Sequence, residues 1–419
     1  MERIEGLLRR CVEVGGSDLH FKTDTGQVYC RIMGDLVHFD DVPQFSSDEF
    51  REELNEMLRP EQLLRFDQEW ELDFAHEVKG VSRFRGNLYI QRLHVQAAFR
   101  VIPYHISSME DLQLPPACFD FIERPRGLVL VTGPAGSGKS TTLAAMIDRI
   151  NKSTTNHIIT VEDPVEFVHD DHKALINQRE LEQDTLTFAN ALKHVLRQDP
   201  DVILIGEMRD LETIHLAITA AETGHLVFAT LHTVDAVQTV DRIIDVFPIH
   251  QQQQVRMQLS VNLVGVVSQT LVKRKDNRGR IAAYEILNAT PAVRNLIREN
   301  KSYQIGSIIQ TGMKQKMITL DQALCNLVGN GLVNFEDARM KAKDPGEFAR
   351  LVQLTGAGQA AQPAQAGAPG PIPPGPPPQM SGQAPPMAPP PGTGGAPPAQ
   401  NPQQGGVRGQ PNRPGFRKD

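Results

Sequence analysis

The sequence predicts an α/β protein: a small α/β domain with an antiparallel sheet, then a larger domain built on a parallel sheet and closed by helices. Three observations carry this. From residue 126 onward, short apolar runs alternate with helical stretches, the pattern of strands buried on both faces. A glycine-rich turn joins one of these strands to a helix. Composition then breaks after residue 355, where the last 64 residues hold 18 of the chain's 30 prolines and 13 of its 33 glycines.

In chain order, Ile4, Leu7, Leu8 and Cys11 have helical spacing, and a second helix is expected at Ser47–Leu58. Strand-like stretches occur at Asp18–Phe21, Val28–Ile32, Glu71–Phe74, Ser82–Tyr89 and Gln96–Ile102. Residues 1–105 are therefore expected as one domain. A link over 106–125, with Pro103 just before it and Pro115 and Pro116 within it, separates this domain from a second one over 126–355.

In the second part the buried-strand runs are Leu128–Val131, Ile158–Val161, Val202–Ile205 and Leu226–Thr230. Asp210 begins a helix with Leu211, Ile214 and Ile218 on one face and Gly224 as its stop. Residues 251–271 read as one helix, with Val255, Leu259, Leu263 and Val266 on a face, and residues 291–352 read as entirely helical. The tail, 356–419, is too poor in apolar bulk to offset its ordering entropy and is expected to be disordered.

Composition also excludes several classes. No run approaches 18 apolar residues, and Met1–Gly6 lacks a signal-peptide apolar region, so a cytoplasmic protein is expected. Cys11, Cys30, Cys118 and Cys325 are too far apart for a Cys-x-x-Cys pair, which suits a reducing compartment. The tail carries +3 and the whole chain −7, so residues 1–355 carry −10. That balance argues against nucleic acid as the main partner, since phosphate backbones need a basic footprint.

The strongest chemical signal is Gly133, Pro134, Ala135, Gly136, Ser137, Gly138, Lys139 and Ser140, followed by Thr141. It matches the phosphate-binding loop in full, between a strand and a helix. Glycines let consecutive backbone N–H groups turn inward around phosphates. Lys139 then reaches the β- and γ-phosphates, and the Ser140 hydroxyl ligates Mg²⁺, so a nucleoside triphosphate and Mg²⁺ are the expected ligands, ATP being the one that the resemblance given below implies.

Three further motifs end buried-strand runs in polar groups. Asp201–Glu207 ends in Glu207, a second candidate for organising the metal; Gly206 stands where an aspartate is usual. Glu162, Asp163 and Glu166 gather around Pro164, and one of them could act as general base on water. Gly224–Thr233 carries His225 at the strand's start and His232 at its end, where it could contact a γ-phosphate.

These four motifs in this order resemble the secretion and type IV pilus motor ATPases. Within them the match is closest to the pilus retraction ATPases. The markers are Ser17–Phe21, Val165–His169, Asn177–Glu180, Thr219–His225 and Thr290–Glu299, the last resembling the retraction signature with Val293 where isoleucine is usual.

The resemblance implies a PAS-like N-terminal domain and a RecA-like ATPase domain. It implies Glu166 as general base, Glu207 as catalytic or metal-organising glutamate and His232 as γ-phosphate sensor. Arg83, Arg85 and Arg100 would complete the next subunit's site in a homohexameric ring. An inner-membrane pilus platform protein is the implied partner, with a paralogous retraction ATPase as another, so that membrane contact runs only through partners. The absence of a four-cysteine zinc module favours retraction over the alternatives, which are a pilus-extension or type II secretion motor and an auxiliary, weakly hydrolysing ring subunit.

Overall fold

The computed structural model describes residues 2–42, 44–102 and 105–355. The tail expected to be disordered, 356–419, and Pro103, just before the expected link, lie outside them. Among the described residues no helix is long and apolar enough to cross a membrane.

The first part runs α1 (Glu2–Glu13), β1 (Gly16–Lys22), β2 (Gln27–Ile32), β3 (Asp35–His38), α2 (Ser47–Met57), α3 (Pro60–Glu69), β4 (Glu71–Val78), β5 (Ser82–Gln91) and β6 (His94–Ile102). The strands form an antiparallel sheet in the order β3-β2-β1-β6-β5-β4. Ile4, Leu7, Leu8 and Cys11 of α1 are buried, as their spacing requires. Ser46 and Glu49 form a capping box that starts α2. Phe21, Phe45, Phe50, Phe74 and Phe99 meet mostly edge to face in the core between sheet and helices.

The second part begins with α4 (Pro116–Ile122), whose Ala117, Cys118 and Phe121 are buried. The segment expected as a link thus contributes packed core. There follow β7 (Gly127–Thr132), α5 (Lys139–Ser153), β8 (His157–Glu162), β9 (Leu175–Glu180), α6 (Phe188–Val195), β10 (Val202–Ile205), α7 (Leu211–Glu222), β11 (Leu226–Leu231), α8 (Ala236–Asp245), α9 (Ile249–Asn262), β12 (Leu263–Lys273) and β13 (Arg280–Asn288). The sheet order is β13-β12-β7-β11-β10-β8-β9, parallel throughout except for the β12–β13 pair. Every residue of β7, β10 and β11 is buried, which is why these strands read as unbroken apolar runs.

One element is corrected outright. The helix expected over 251–271 ends at Asn262, and Leu263–Lys273 is strand. Val264, Val266, Val267 and Thr270 are β-branched, and the segment lies between β7 and β13 with most side chains buried. Gly265 permits this, because a Cβ there would stand 2.3 Å from the Phe121 ring. Helical spacing of Leu259, Leu263 and Val266 was the misleading signal.

The expected all-helical region is mostly so: α10 (Pro291–Arg298), α11 (Ile305–Thr311), α12 (Leu320–Gly329), α13 (Phe335–Arg339) and α14 (Pro345–Leu354), with two short 3₁₀ turns. Isolated bridges at Ile286–Ile318 and Arg274–Val333 tie it to the sheet.

Arg294, in the segment resembling the retraction signature, has a definite place. Its guanidinium donates to the carbonyls of Ala289, Ser260, Val261 and Leu263. It therefore satisfies acceptors that the end of α9 leaves open and joins α10 to the start of β12. Arg298, by contrast, bonds only Asn295 of its own helix among the described residues. Arg294→Ala should lower unfolding free energy by roughly 2–3 kcal/mol, and Arg298→Ala by far less. Denaturant melts of the two variants check this.

Candidate functional site

The parallel strands deliver the expected motifs to one edge. The phosphate loop leaves the carboxyl end of β7, Glu162 ends β8, Gly206-Glu207 follows β10 and His232 follows β11. In the sheet these four strands are consecutive neighbours. Ligands gather at this edge of open α/β sheets.

A cleft of about 560 Å³ opens there. Ala135, Gly136, Ser137, Gly138, Lys139, Ser140 and Thr141 line it, with Glu166, Glu207, His232, Arg85 and Arg100. Gly133 and Pro134 stand behind, offering their carbonyls to the Lys139 ammonium at 2.9 and 3.2 Å. Gly133 is obligatory, with φ of 143° and the Gln269 carbonyl oxygen 2.3 Å from where a Cβ would sit.

Glu207 holds two partners at once. Arg209 donates to one carboxylate oxygen at 2.7 Å, and His232 Nε2 lies 3.1 Å from the other. Burial pushes the carboxyl up, but Arg209 and His232 outweigh it and hold Glu207 below the ordinary glutamate value. Burial lowers the Lys139 ammonium, against the upward pull of Glu207 and Glu166. Glu162 is different: burial pushes it up to about 7, despite hydrogen bonds from Thr160 and Gln178. Glu162 and Glu207, on neighbouring strand ends, are thus pushed in opposite directions by their surroundings.

Gly206 has a steric account. A Cβ there would meet the Glu162 Cα at 3.1 Å and the Val161 carbonyl at 3.2 Å. The close approach of β10 to β8 makes a side chain tight at this position, and the carboxylate comes one residue later, from Glu207.

The arginines divide. Arg85 and Arg100 line this chain's own cleft, and Arg100 also pairs with Asp18 at 2.8 Å. Arg83 does not reach the cleft. It bonds Glu180 at 2.5 Å, a buried carboxylate at the end of β9 that also accepts from the Val165 N–H. Arg83 thus clamps β5 of the first sheet to the second.

Sequence reasoning missed Arg209, Arg280, Phe167, Phe188 and Leu271, all of which line the cleft. Arg209 was within reach, two residues after Glu207 in its motif. Leu271 and Arg280 carry no local signal; they arrive through β12 and β13.

The donor set fits a nucleoside triphosphate with Mg²⁺. Ser137, within the loop, is 3 % exposed, and its hydroxyl has no hydrogen-bond partner among the described residues. Ser140 and Glu207 supply hard oxygen donors of the kind Mg²⁺ takes alongside substrate phosphates. Among the described residues, no group of three or more His, Cys, Asp or Glu forms a self-sufficient metal cage.

Comparison with known proteins agrees. The family described as type II/IV secretion system protein matches residues 90–340. The twitching motility protein of Neisseria gonorrhoeae is 53% identical over 314 residues, 75% of this chain and 84% of its own length. The type IV pilus retraction ATPase PilT of Pseudomonas aeruginosa is 49% identical over 345 residues, 82% of this chain and 99% of its own. Among solved structures, the pilus retraction motor PilT with bound ADP superposes with a TM-score of 0.78 at 44% identity, covering 83% of this chain and 99% of that one. At these identities and coverages, the chain belongs to the type II/IV secretion system protein family and, within it, to the group that contains the type IV pilus retraction ATPases.

Proposed function

We propose that this chain is the Mg²⁺-dependent ATPase of a homohexameric motor that powers type IV pilus retraction. The supporting observation is the convergence in one cleft of the phosphate loop, Glu166, Glu207 and His232 with Arg85 and Arg100 from the other sheet.

In this reading the loop N–H groups and Lys139 hold the β- and γ-phosphates of ATP. Ser140 and Glu207 hold Mg²⁺, which when bound neutralises phosphate charge. Glu166 takes a proton from the attacking water. His232, oriented by Glu207, faces the terminal phosphate. Arg85 and Arg100 stabilise charge that develops in the transition state, so turnover depends on how the two parts close. ATP binding and product release thereby become rigid-body motion of the first sheet against the second.

The motor acts from the cytoplasm at the pilus base, through an inner-membrane platform protein and alongside a paralogue. PilU of Pseudomonas aeruginosa, 40% identical over 350 residues, is a related ATPase of the kind that could fill the second role.

Deleting the gene tests the reading. Surface pili in excess are expected; a strain without pili would assign the protein to extension instead. Truncation after residue 355 should leave the ATPase rate unchanged, measured by phosphate release, because the cleft is already lined by the loop, the acidic residues and the arginines that precede that point.

A further inference from the structure

We propose that Gln269 is a positioning residue that presets the phosphate loop for nucleotide. This rests on the nucleotide site described above and adds a residue to it. Gln269 lies on β12, which runs parallel to β7 with Ser268 level with Thr132. The hydroxyls of that pair are 2.8 Å apart. Gln269 is therefore level with the point where the chain leaves β7 for the loop.

Gln269 is 3 % exposed, and both the nitrogen and the oxygen of its amide are hydrogen-bonded. Nε2 donates to the Ser137 carbonyl at 2.8 Å, and Oε1 accepts from the Thr142 hydroxyl at 2.9 Å. One amide thus ties the loop to the first turn of α5 and ties both to β12. The orientation follows from chemistry: the Ser137 carbonyl can only accept, so the amide nitrogen must face it.

The consequence concerns the next peptide N–H. In a trans peptide the carbonyl oxygen and the amide hydrogen point in opposite directions. Gln269 draws the Ser137 oxygen back toward the sheet, so the Gly138 N–H faces the cleft, where an anion would lie. The lock is made within the protein, so the donor is aimed before nucleotide arrives and its ordering cost is not charged to binding. Gln269 does not line the cleft and touches no reacting atom.

Few side chains can substitute. Methionine matches the length and offers neither bond. Glutamate keeps the acceptor for Thr142 but, when ionised, repels the Ser137 oxygen; protonated, it regains a donor.

The test uses full-length protein, with ADP affinity by titration and ATP turnover. Gln269→Met should weaken ADP binding by about tenfold or more, the scale of losing two buried hydrogen bonds. Gln269→Glu should bind ADP poorly at about pH 8 and recover toward wild type near pH 6, because burial raises a carboxyl's pKa. A purely structural role would lower melting temperature without that pH-dependent rescue. Thr142→Val, which removes one bond and leaves the amide, should weaken ADP binding by a few-fold, and it serves if a Gln269 variant does not fold. Wild-type affinity in Gln269→Met or Thr142→Val, or a pH-independent ratio of Gln269→Glu to wild type, would overturn the inference. Failure of the wild-type protein itself to bind ADP would instead overturn the nucleotide-site reading.

Discussion

Glu207→Gln should abolish ATP turnover while leaving ATP bound. The carboxylate sits at the end of β10 with Arg209 on one oxygen and His232 on the other. Glutamine keeps the size but removes the charge that both partners answer. It leaves the arginine without its counter-ion and gives the metal a weaker donor. The loop, Lys139 and Ser140 are untouched, so the phosphates are still gripped. A fall in kcat of roughly 10²–10³-fold is expected from the lost electrostatic stabilisation, with nucleotide affinity within a few-fold of wild type. Steady-state phosphate release and a nucleotide-binding titration on the same preparation separate the two effects. Full activity in this variant would remove Glu207 from the mechanism.

Gly133→Ala should have the opposite signature, with binding lost first. The residue has φ of 143°, and the added methyl would stand 2.3 Å from the Gln269 carbonyl oxygen and 2.6 Å from the Ser137 hydroxyl. Neither neighbour can yield easily: the first is backbone of a central strand, and the second belongs to the loop itself. Strain of this kind costs about 1–3 kcal/mol. Relief requires the loop to open, which scatters the N–H groups. A loss in ATP and ADP affinity of roughly tenfold to a hundredfold follows from that cost. The fold should survive, since β7 through Thr132 keeps both parallel neighbours. Wild-type affinity would mean the loop is not held as described.

What was legible in the sequence follows from burial. The runs at β7, β8, β10 and β11 are apolar because both faces of those strands are covered, and each run ends where the chain reaches the cleft. The phosphate loop is local in sequence, so its spacing alone reveals it. The same holds for the polar groups just after each strand, Glu166, Glu207 and His232.

The elements that escaped notice lack such local signals. Strand β3 is short, at the sheet edge and almost wholly exposed, so its Asp-Leu-Val-His has no pattern to read. Strand β9, Leu-Ile-Asn-Gln-Arg-Glu, is the other sheet's edge and is polar at four of its six positions. Strand β12 was hidden by chance, because its apolar residues, buried on the faces of the sheet, continue the helical spacing of α9. The engagement of Arg83 by Glu180 spans 97 positions and depends on how the two sheets meet. Gln269 is the sharpest case: its partners lie 127 and 132 positions earlier, and only the register of β12 on β7 brings them together.

The most direct test replaces the chromosomal gene with one encoding Glu207→Gln and counts surface pili while following retraction, with protein levels matched to wild type. If hydrolysis in this cleft drives pilus retraction, the strain should carry excess surface pili and show no retraction, as a deletion would. Normal pilus numbers with wild-type retraction would contradict the account.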